Sequence, residues 1–230
     1  MLLPMHRRRT PPKLRPVRLV IVDRHILFAE GLRELLRGCE EVEAVAIATN
    51  EYELLRQIDV THPDAILLDP WMANGGPFAI LGKLRQRTPR TAILFLEGDV
   101  HEVHVRVALK LRADGFLTKS CRFSEIREAI QNAVHGSPAF CADVQHYVLK
   151  TSRGPRFNRK AISSPLATLT QRELEIMILL AQGYTVREAA HQMGTAISTA
   201  DNHKSRLMQK LRVHKVVELA TMAIREGLVT

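Results

Sequence analysis

Hydrophobic and polar positions follow two different periods along the first 136 residues. Short, mainly apolar runs occupy Val17–Val22, Val42–Ala48, Ala65–Leu68, Thr91–Leu96 and Gly115–Thr118. Runs of that length, bounded by Asp, Gly and Pro, read as strands buried on both faces of a sheet. Between them, apolar residues recur at helical spacing. Ile26–Leu36 carries Ile26, Leu27, Leu32, Leu35 and Leu36, with Gly38 as the stop. Glu51–Ile58, a stretch running from the Asn74-Gly75-Gly76 loop through Leu84, Val103–Leu111 and Phe123–Val134 complete the helices. Five strands alternating with five helices predict a doubly wound, five-stranded parallel sheet. Ligands of such sheets bind outside the carboxyl ends of the strands. That rule selects Asp23, Asp69, Glu97 and Lys119, each at or just past a strand end.

Beyond residue 164 the pattern becomes all-helical. Thr170-x-x-Glu173 is a capping box, in which each side chain satisfies a backbone N–H at a helix start. Ile176, Leu179 and Leu180 follow at helical spacing, and Gly183 suits a left-handed stop. Val186–Met193, with Ala189, Ala190 and Met193 on one side, predicts a second short helix. Gly194 then breaks the chain before a basic third helix ending near Leu211, and Val216–Ile224 predicts a fourth. This is the layout of a helix-turn-helix. A helical hairpin that docks a partner protein is the alternative.

The chain has 230 residues, enough for two domains, and its hydrophobic content of 46% supports two cores. No apolar run approaches the ~20 residues of a membrane span. The N-terminus carries Arg7-Arg8-Arg9 without the apolar stretch of a signal peptide. Cys39, Cys121 and Cys141 are an odd number without C-x-x-C spacing, signalling neither a disulfide framework nor a zinc site. A reduced, cytoplasmic protein is the default reading. The net charge of +9 is unevenly spread. Residues 1–16 carry five Lys/Arg and no acid, and residues 149–164 again carry five and none. Residues 17–148 hold fifteen bases against eighteen acids, and residues 165–230 hold eight against six. The basic excess therefore lies outside both domains, where it suits either nucleic acid or simple solvation. The division expected is a disordered basic arm (1–16), an α/β domain (17–136), a basic linker (137–164) in which Tyr147-Val148-Leu149 extend a short helix, and a four-helix DNA-binding domain (165–230).

Leu169-Thr170-x-Arg172-Glu173, Ala181-x-Gly183, Glu188-x-Ala190, Thr199, His203 and Lys210-Leu211-x-Val213 resemble the DNA-binding domain of LuxR-type transcription regulators. In the α/β part, Asp23, Phe28, Glu30-Gly31-Leu32, Pro63-Asp64, Leu67-Leu68-Asp69 and Gly115-Phe116-Leu117-Thr118-Lys119 resemble a receiver domain. Together the chain is similar to response regulators of the NarL/FixJ type. The resemblance implies a flavodoxin-like strand order, with Asp69 as phosphoacceptor. It also implies an Mg²⁺ site built on strand-end acids, here Asp23 and Asp69, and on the backbone carbonyl of Trp71. A Lys after the fifth strand, here Lys119, would hold phosphoryl oxygens. The second acid is replaced by Arg24, the Thr or Ser of the fourth strand by Glu97, the usual Asp-Gly of the acceptor loop by Gly76-Pro77, and a frequent Tyr by Phe116. Asp23, Asp69 and Glu97 are then opposed by Arg24 and Lys119, and the pocket can nearly neutralise itself, with Arg24 forking onto a carboxylate in place of Mg²⁺. A receiver not governed mainly by phosphorylation is expected, its Mg²⁺ in doubt; a metal-weak but working acceptor is the rival. His25, His101 and His104 show no metal spacing and read as surface or packing residues.

In the relatives the third helix reads the major groove. Ala200, Leu207 and Leu211, with His203 beside them, fall on the inward stripe. Lys204, Arg206 and Lys210 suit phosphates, Asn202 an adenine edge and Asp201 a cytosine amino group. Ser205 shares that outer face, while Ser198 and Thr199 lie near the helix start, where hydroxyls meet phosphate. Ser198-x-x-Asp201 is also a capping-box pattern, so Asp201 reads equally as a cap or a base contact. The fourth helix implies a homodimer on an inverted-repeat operator, or packing alone. Double-stranded DNA and a sensor histidine kinase are the implied partners. No catalytic constellation beyond the pocket is present, and no enzyme is expected. A phosphoryl sink and a heterodimerising adaptor remain the competing functions.

Overall fold

A computed structural model describes residues 15–69, 76–152, 154–161 and 164–229. Strands β1 (Val17–Val22), β2 (Val42–Ala48), β3 (Ala65–Leu68), β4 (Ala92–Glu97) and β5 (Gly115–Thr118) alternate with helices α1 (Ile26–Leu36), α2 (Glu51–Thr61), α3 (Gly76–Arg87), α4 (Glu102–Lys110) and α5 (Phe123–Val134). Every residue of β3 and β4 is buried, as strands covered by helices on both faces require. The sheet has six strands rather than the expected five, in the order β2-β1-β3-β4-β5-β6, all parallel. The added edge strand, β6, is only Ala139–Phe140. It forms because the backbone returns beside β5, where Ala139 N–H donates to Asp114 and Cys141 N–H to Phe116. Gly115 permits this approach, since a Cβ there would lie 2.7 Å from the Ala139 carbonyl oxygen.

Two expectations about helices and one about a strand need correction. In α1 the buried residues are Ala29, Leu32 and Leu36, whereas Ile26 and Leu35 are exposed and Leu27 is 82% exposed. The apolar residues of α1 span more arc than the sheet can cover. Helix α2 runs one turn past Ile58 and stops at His62, whose φ of 45° ends it in the left-handed region. Strand β4 reaches Glu97, so that carboxylate leaves the last buried position of the strand.

The segment expected to be a linker carries structure of its own. A 3-10 turn covers Ala142–Tyr147, and Val148–Thr151 (β7) pairs antiparallel with Gly154–Phe157 (β8). The short helix expected at Tyr147–Leu149 is therefore the end of a turn followed by a strand. Tyr147 stacks on Phe157 at 6.1 Å and 9°, and Gly154 turns the hairpin with φ of 101°. Most of the basic arm lies outside the described residues; Arg15, at its end, forks onto Asp64 at 2.9 and 3.0 Å.

The C-terminal part is a four-helix domain: α6 (Gln171–Ala181), α7 (Val186–Gln192), α8 (Ile197–Leu211) and α9 (Val216–Arg225). Capping boxes at Thr170/Glu173 and Thr185/Glu188 start α6 and α7, and Gly183 and Gly194 follow those helices with φ of 91° and 60°. Helix α4 joins the two cores. Val103 and Val107 are buried in the same apolar cluster as Leu166, Leu169, Leu174 and Leu219. Polar contacts frame this joint: Glu102 accepts from Ser164 N–H at 3.1 Å, and the Arg106 guanidinium donates to the Leu169 carbonyl.

Candidate pocket and nucleic-acid interface

The carboxyl ends of β1, β3, β4 and β5 bring Asp23, Asp69, Glu97 and Lys119 to one end of the sheet. Asp23 and Asp69 are both buried, directly after β1 and β3. Lys119 Nζ lies 2.5 Å from Asp23 Oδ2 and 3.7 Å from Asp69 Oδ2. The other Asp23 oxygen accepts the His25 backbone N–H at 2.8 Å and sits 2.9 Å from His25 Nδ1. The Lys119 ammonium lies over the Phe28 ring, 5.0 Å from its centroid. Lys119 and His25 thus both hold Asp23. Arg24 is exposed.

Glu97 turns toward α4, where its carboxylate bonds His104 Nδ1; each of the two residues is 3% exposed. His101 lies one turn before His104, with ring centroids 4.8 Å apart, against the backbone of Gly227. Burial, followed by repulsion from His104, lowers the His101 pKa below the ordinary 6.5. Asp23, His25 and Asp69 each present one donor atom within 4.8 Å of the others, a group of two oxygens and one nitrogen. Trp71 and the rest of the acceptor loop lie outside the described residues, as does the Pro77 side chain. His25 and His104 are the pocket residues the sequence reading passed over as surface or packing. The available signals were slight: His25 is two positions past the strand-end acid, and His104 falls seven past Glu97 on the next helix.

On α8, Ala200 and Leu207 are buried and His203 and Leu211 partly so, matching the inward stripe. Ser198, Thr199, Asp201, Asn202, Ser205, Arg206 and Lys210 are exposed, and Lys204 is partly covered. The receiver-side contacts of α4 fall on Leu166, Leu169 and the α6–α9 core, so this outer face stays open to solvent. The capping role of Asp201 is not realised. The N-cap is Ala196, which places Ser198 inside the first turn, and Asp201 instead faces Lys204 at 3.6 Å, 58% exposed. Lys210 donates to Glu173 at 2.6 Å, tying the recognition helix to the capping box of α6. Burial opposes ionisation of Glu173, but Lys210 and Thr170 outweigh it and hold the carboxyl below 4.5. Arg172 links Glu175 at 3.0 Å with the Met193 carbonyl at 3.1 Å, bracing the turn between α7 and α8. Helix α9 leaves Val217 73% exposed, with Val216 and Ile224 also exposed on its surface.

A sheet with acids after β1 and β3 and a lysine after β5 defines the class of response regulators, and residues 19–131 match the response regulator receiver domain. Residues 167–223 match the bacterial regulatory proteins of the luxR family. The chain therefore joins a response regulator receiver domain to a DNA-binding domain of the luxR family. It is 26% identical over 212 residues to response regulator UvrY of Escherichia coli K12, covering 92% of this chain and 95% of that protein. It is 28% identical over 211 residues to the nitrate/nitrite response regulator protein NarL of the same strain, covering 92% and 96%. A solved structure of RcsB from Salmonella enterica serovar Typhimurium, bound to promoter rprA with a phosphomimetic, superposes with a TM-score of 0.67 at 21% identity, covering 89% of this chain and 97% of that one.

Proposed function

We propose that this protein regulates transcription by reading duplex DNA with the outer face of α8, while the receiver pocket is set by internal ion pairs rather than mainly by phosphorylation of Asp69. The observation that carries the reading is the pairing of Glu97 with His104. The residue at the position of a phosphate-responsive hydroxyl is a carboxylate already committed to the helix that docks on the output domain. A phosphoryl group on Asp69 would bring negative charge toward that carboxylate in a buried site.

The pocket fits Mg²⁺ poorly. Mg²⁺ takes six hard ligands, mostly oxygens, in near-octahedral geometry. Here Arg24 stands for one acid, Asp23 is engaged by Lys119, and an imidazole occupies the third donor position. Lys119 supplies the positive charge a metal would bring. Output activity then depends on protein concentration, ligand or partner, and no sensor histidine kinase is required.

On DNA, Lys204 and Arg206 take phosphates, Asn202 and Asp201 meet base edges, and Ser198, Thr199 and Ser205 complete the contacts. Lys210 divides its charge between the backbone and Glu173. The exposed Val216, Val217 and Ile224 make α9 the contact of a homodimer, whose two-fold symmetry calls for an inverted-repeat operator. A conventional phosphorylation-activated regulator is the second reading, favoured by the retained Asp69 and its 3.7 Å approach to Lys119. Incubation of the purified protein with acetyl phosphate or beryllofluoride and Mg²⁺ separates the two. Unmodified Asp69 with unchanged dimerisation and DNA affinity is expected. Stoichiometric acyl phosphate together with tighter dimers would establish the conventional reading. Failure of the protein to shift DNA, with the fold intact, would favour the adaptor role instead.

A further inference from the structure

Two of the three cysteines, far apart in sequence, meet beside the pocket. Strand β5 ends at Thr118, and the next turn places Cys121, whose N–H donates to the Thr118 carbonyl at 3.0 Å. Cys141 arrives from the other direction: it follows β6, and its N–H donates to the Phe116 carbonyl at 3.1 Å. These two backbone bonds set both residues at the same end of β5. The Thr118 hydroxyl lies 3.4 Å from Cys121 Sγ, and Cys121 and Thr118 are the neighbours that perturb the Cys141 thiol. Cys121 is partly exposed and Cys141 is buried. Cys39 sits just after α1 with its thiol toward the Leu35 carbonyl at 3.9 Å, outside this cluster.

We propose that Cys121 and Cys141 form a reversible thiol–disulfide site that staples the β5–α5 turn to β6. A hydroperoxide is the oxidant class that suits one reachable and one buried thiol. The Cys121 thiolate attacks a peroxide oxygen, the O–O bond breaks, and the leaving oxygen takes a proton to depart as water or an alcohol. The sulfenic acid formed is then attacked by the Cys141 sulfur; the S–O bond breaks and a second water leaves. Two thiols lose two protons and two electrons, and the peroxide is reduced. A small dithiol reverses the reaction by exchange. Burial, followed by the neighbouring Cys121, raises the Cys141 thiol to about 11, which keeps it protonated and leaves the first attack on peroxide to Cys121.

The consequence lies two residues away. Lys119, between Thr118 and the turn, is the cation that holds Asp23 and approaches Asp69. A covalent link across the turn restricts that lysine, so oxidation acts on the pocket without any phosphoryl group. This inference is independent of whether Asp69 is phosphorylated.

The test uses the native full-length chain. It is exposed to hydrogen peroxide, trapped with N-ethylmaleimide, digested without reductant and examined by mass spectrometry. The expected result is a cross-linked peptide joining Cys121 to Cys141, lost on adding dithiothreitol, in protein that remains monomeric on non-reducing gels. Cys39→Ser should keep the cross-link, and Cys121→Ser should abolish it. Wild-type protein in which Cys121 and Cys141 stay alkylated while Cys39 oxidises would overturn the proposal. So would overoxidation of Cys121 without a cross-link, or disulfides found only between chains. Because the decisive reading is made on wild-type protein, a poorly folding variant does not blur it.

Discussion

Truncating Val103 and Val107 to alanine tests whether α4 is the joint between the two domains. Both side chains are fully buried in the output-domain core, yet both belong to a receiver helix. Each substitution removes two methyl groups. At ~0.8 kcal/mol per buried carbon, the transfer loss is about 1.6 kcal/mol per site. Incomplete collapse of the cavity raises that to roughly 1.6–2.5 kcal/mol. Alanine also favours α4 as a helix, but equally in docked and undocked forms, so that gain cancels. Each change should therefore shift the docking equilibrium roughly 10- to 60-fold toward separation. The two valines are one helical turn apart, and the double variant should show less than the sum. Hydrogen exchange should rise in Leu166–Leu169 and α4, with little change in β1 and β3. Affinity for a fixed DNA duplex should change less than about threefold, because α8 is already open while α4 is docked. Unchanged exchange at Leu166–Leu169 would refute the joint. A tenfold gain in DNA affinity would refute the open reading face.

Lys210→Met should cost roughly 1–2 kcal/mol in output-domain stability, since it removes a charged partner from buried Glu173. Glu173 is held below 4.5, so its stabilisation is present above that pH and lost as pH falls through the lower folded value. Urea melts between pH 3 and 7 should show a smaller acid-side loss in Lys210→Met than in wild type. His101 is held below 6.5, so the folded protein resists protonation there and loses stability as pH falls below 6.5. His101→Gln should flatten that limb of the denaturation profile; an unaltered limb would remove His101 from the account. Asp201→Lys should tighten binding to random DNA and steepen its salt dependence, as an added phosphate contact does. If relative affinities for different operators stay unchanged as well, Asp201 takes no part in base readout.

Much of the molecule was legible from patterning, because local rules and tertiary packing agree there. The five long strands, the cap at Thr170, the stop at Gly183 and the inward stripe of α8 all follow from residues within one turn or one run. Strand β6 and the hairpin β7–β8 were not legible. Two residues after Pro138 carry no period, and β6 exists only because β5 offers an edge beside Gly115. Leu27 and Leu35 misled the reading of α1, since a run of apolar residues says nothing about how wide a face the sheet covers.

The same division holds for the pocket. Strand ends are fixed by local sequence, so the sheet rule placed Asp23, Asp69, Glu97 and Lys119 together from sequence alone. Which cation would reach which acid depended on side-chain direction across four strands and a neighbouring helix. Hence Lys119 and His25 were found on Asp23, and His104 on Glu97. The docking of α4 on the output core likewise joins residues far apart in the chain, such as Val103 and Leu166, through apolar contact that has no sequence period. By itself, then, the sequence determined the two domains, their five long strands and nine helices and the identity of the charged residues at the strand ends. Only the tertiary structure decided the ion pairs and the joint, because those arise from distances between elements that no local rule encodes.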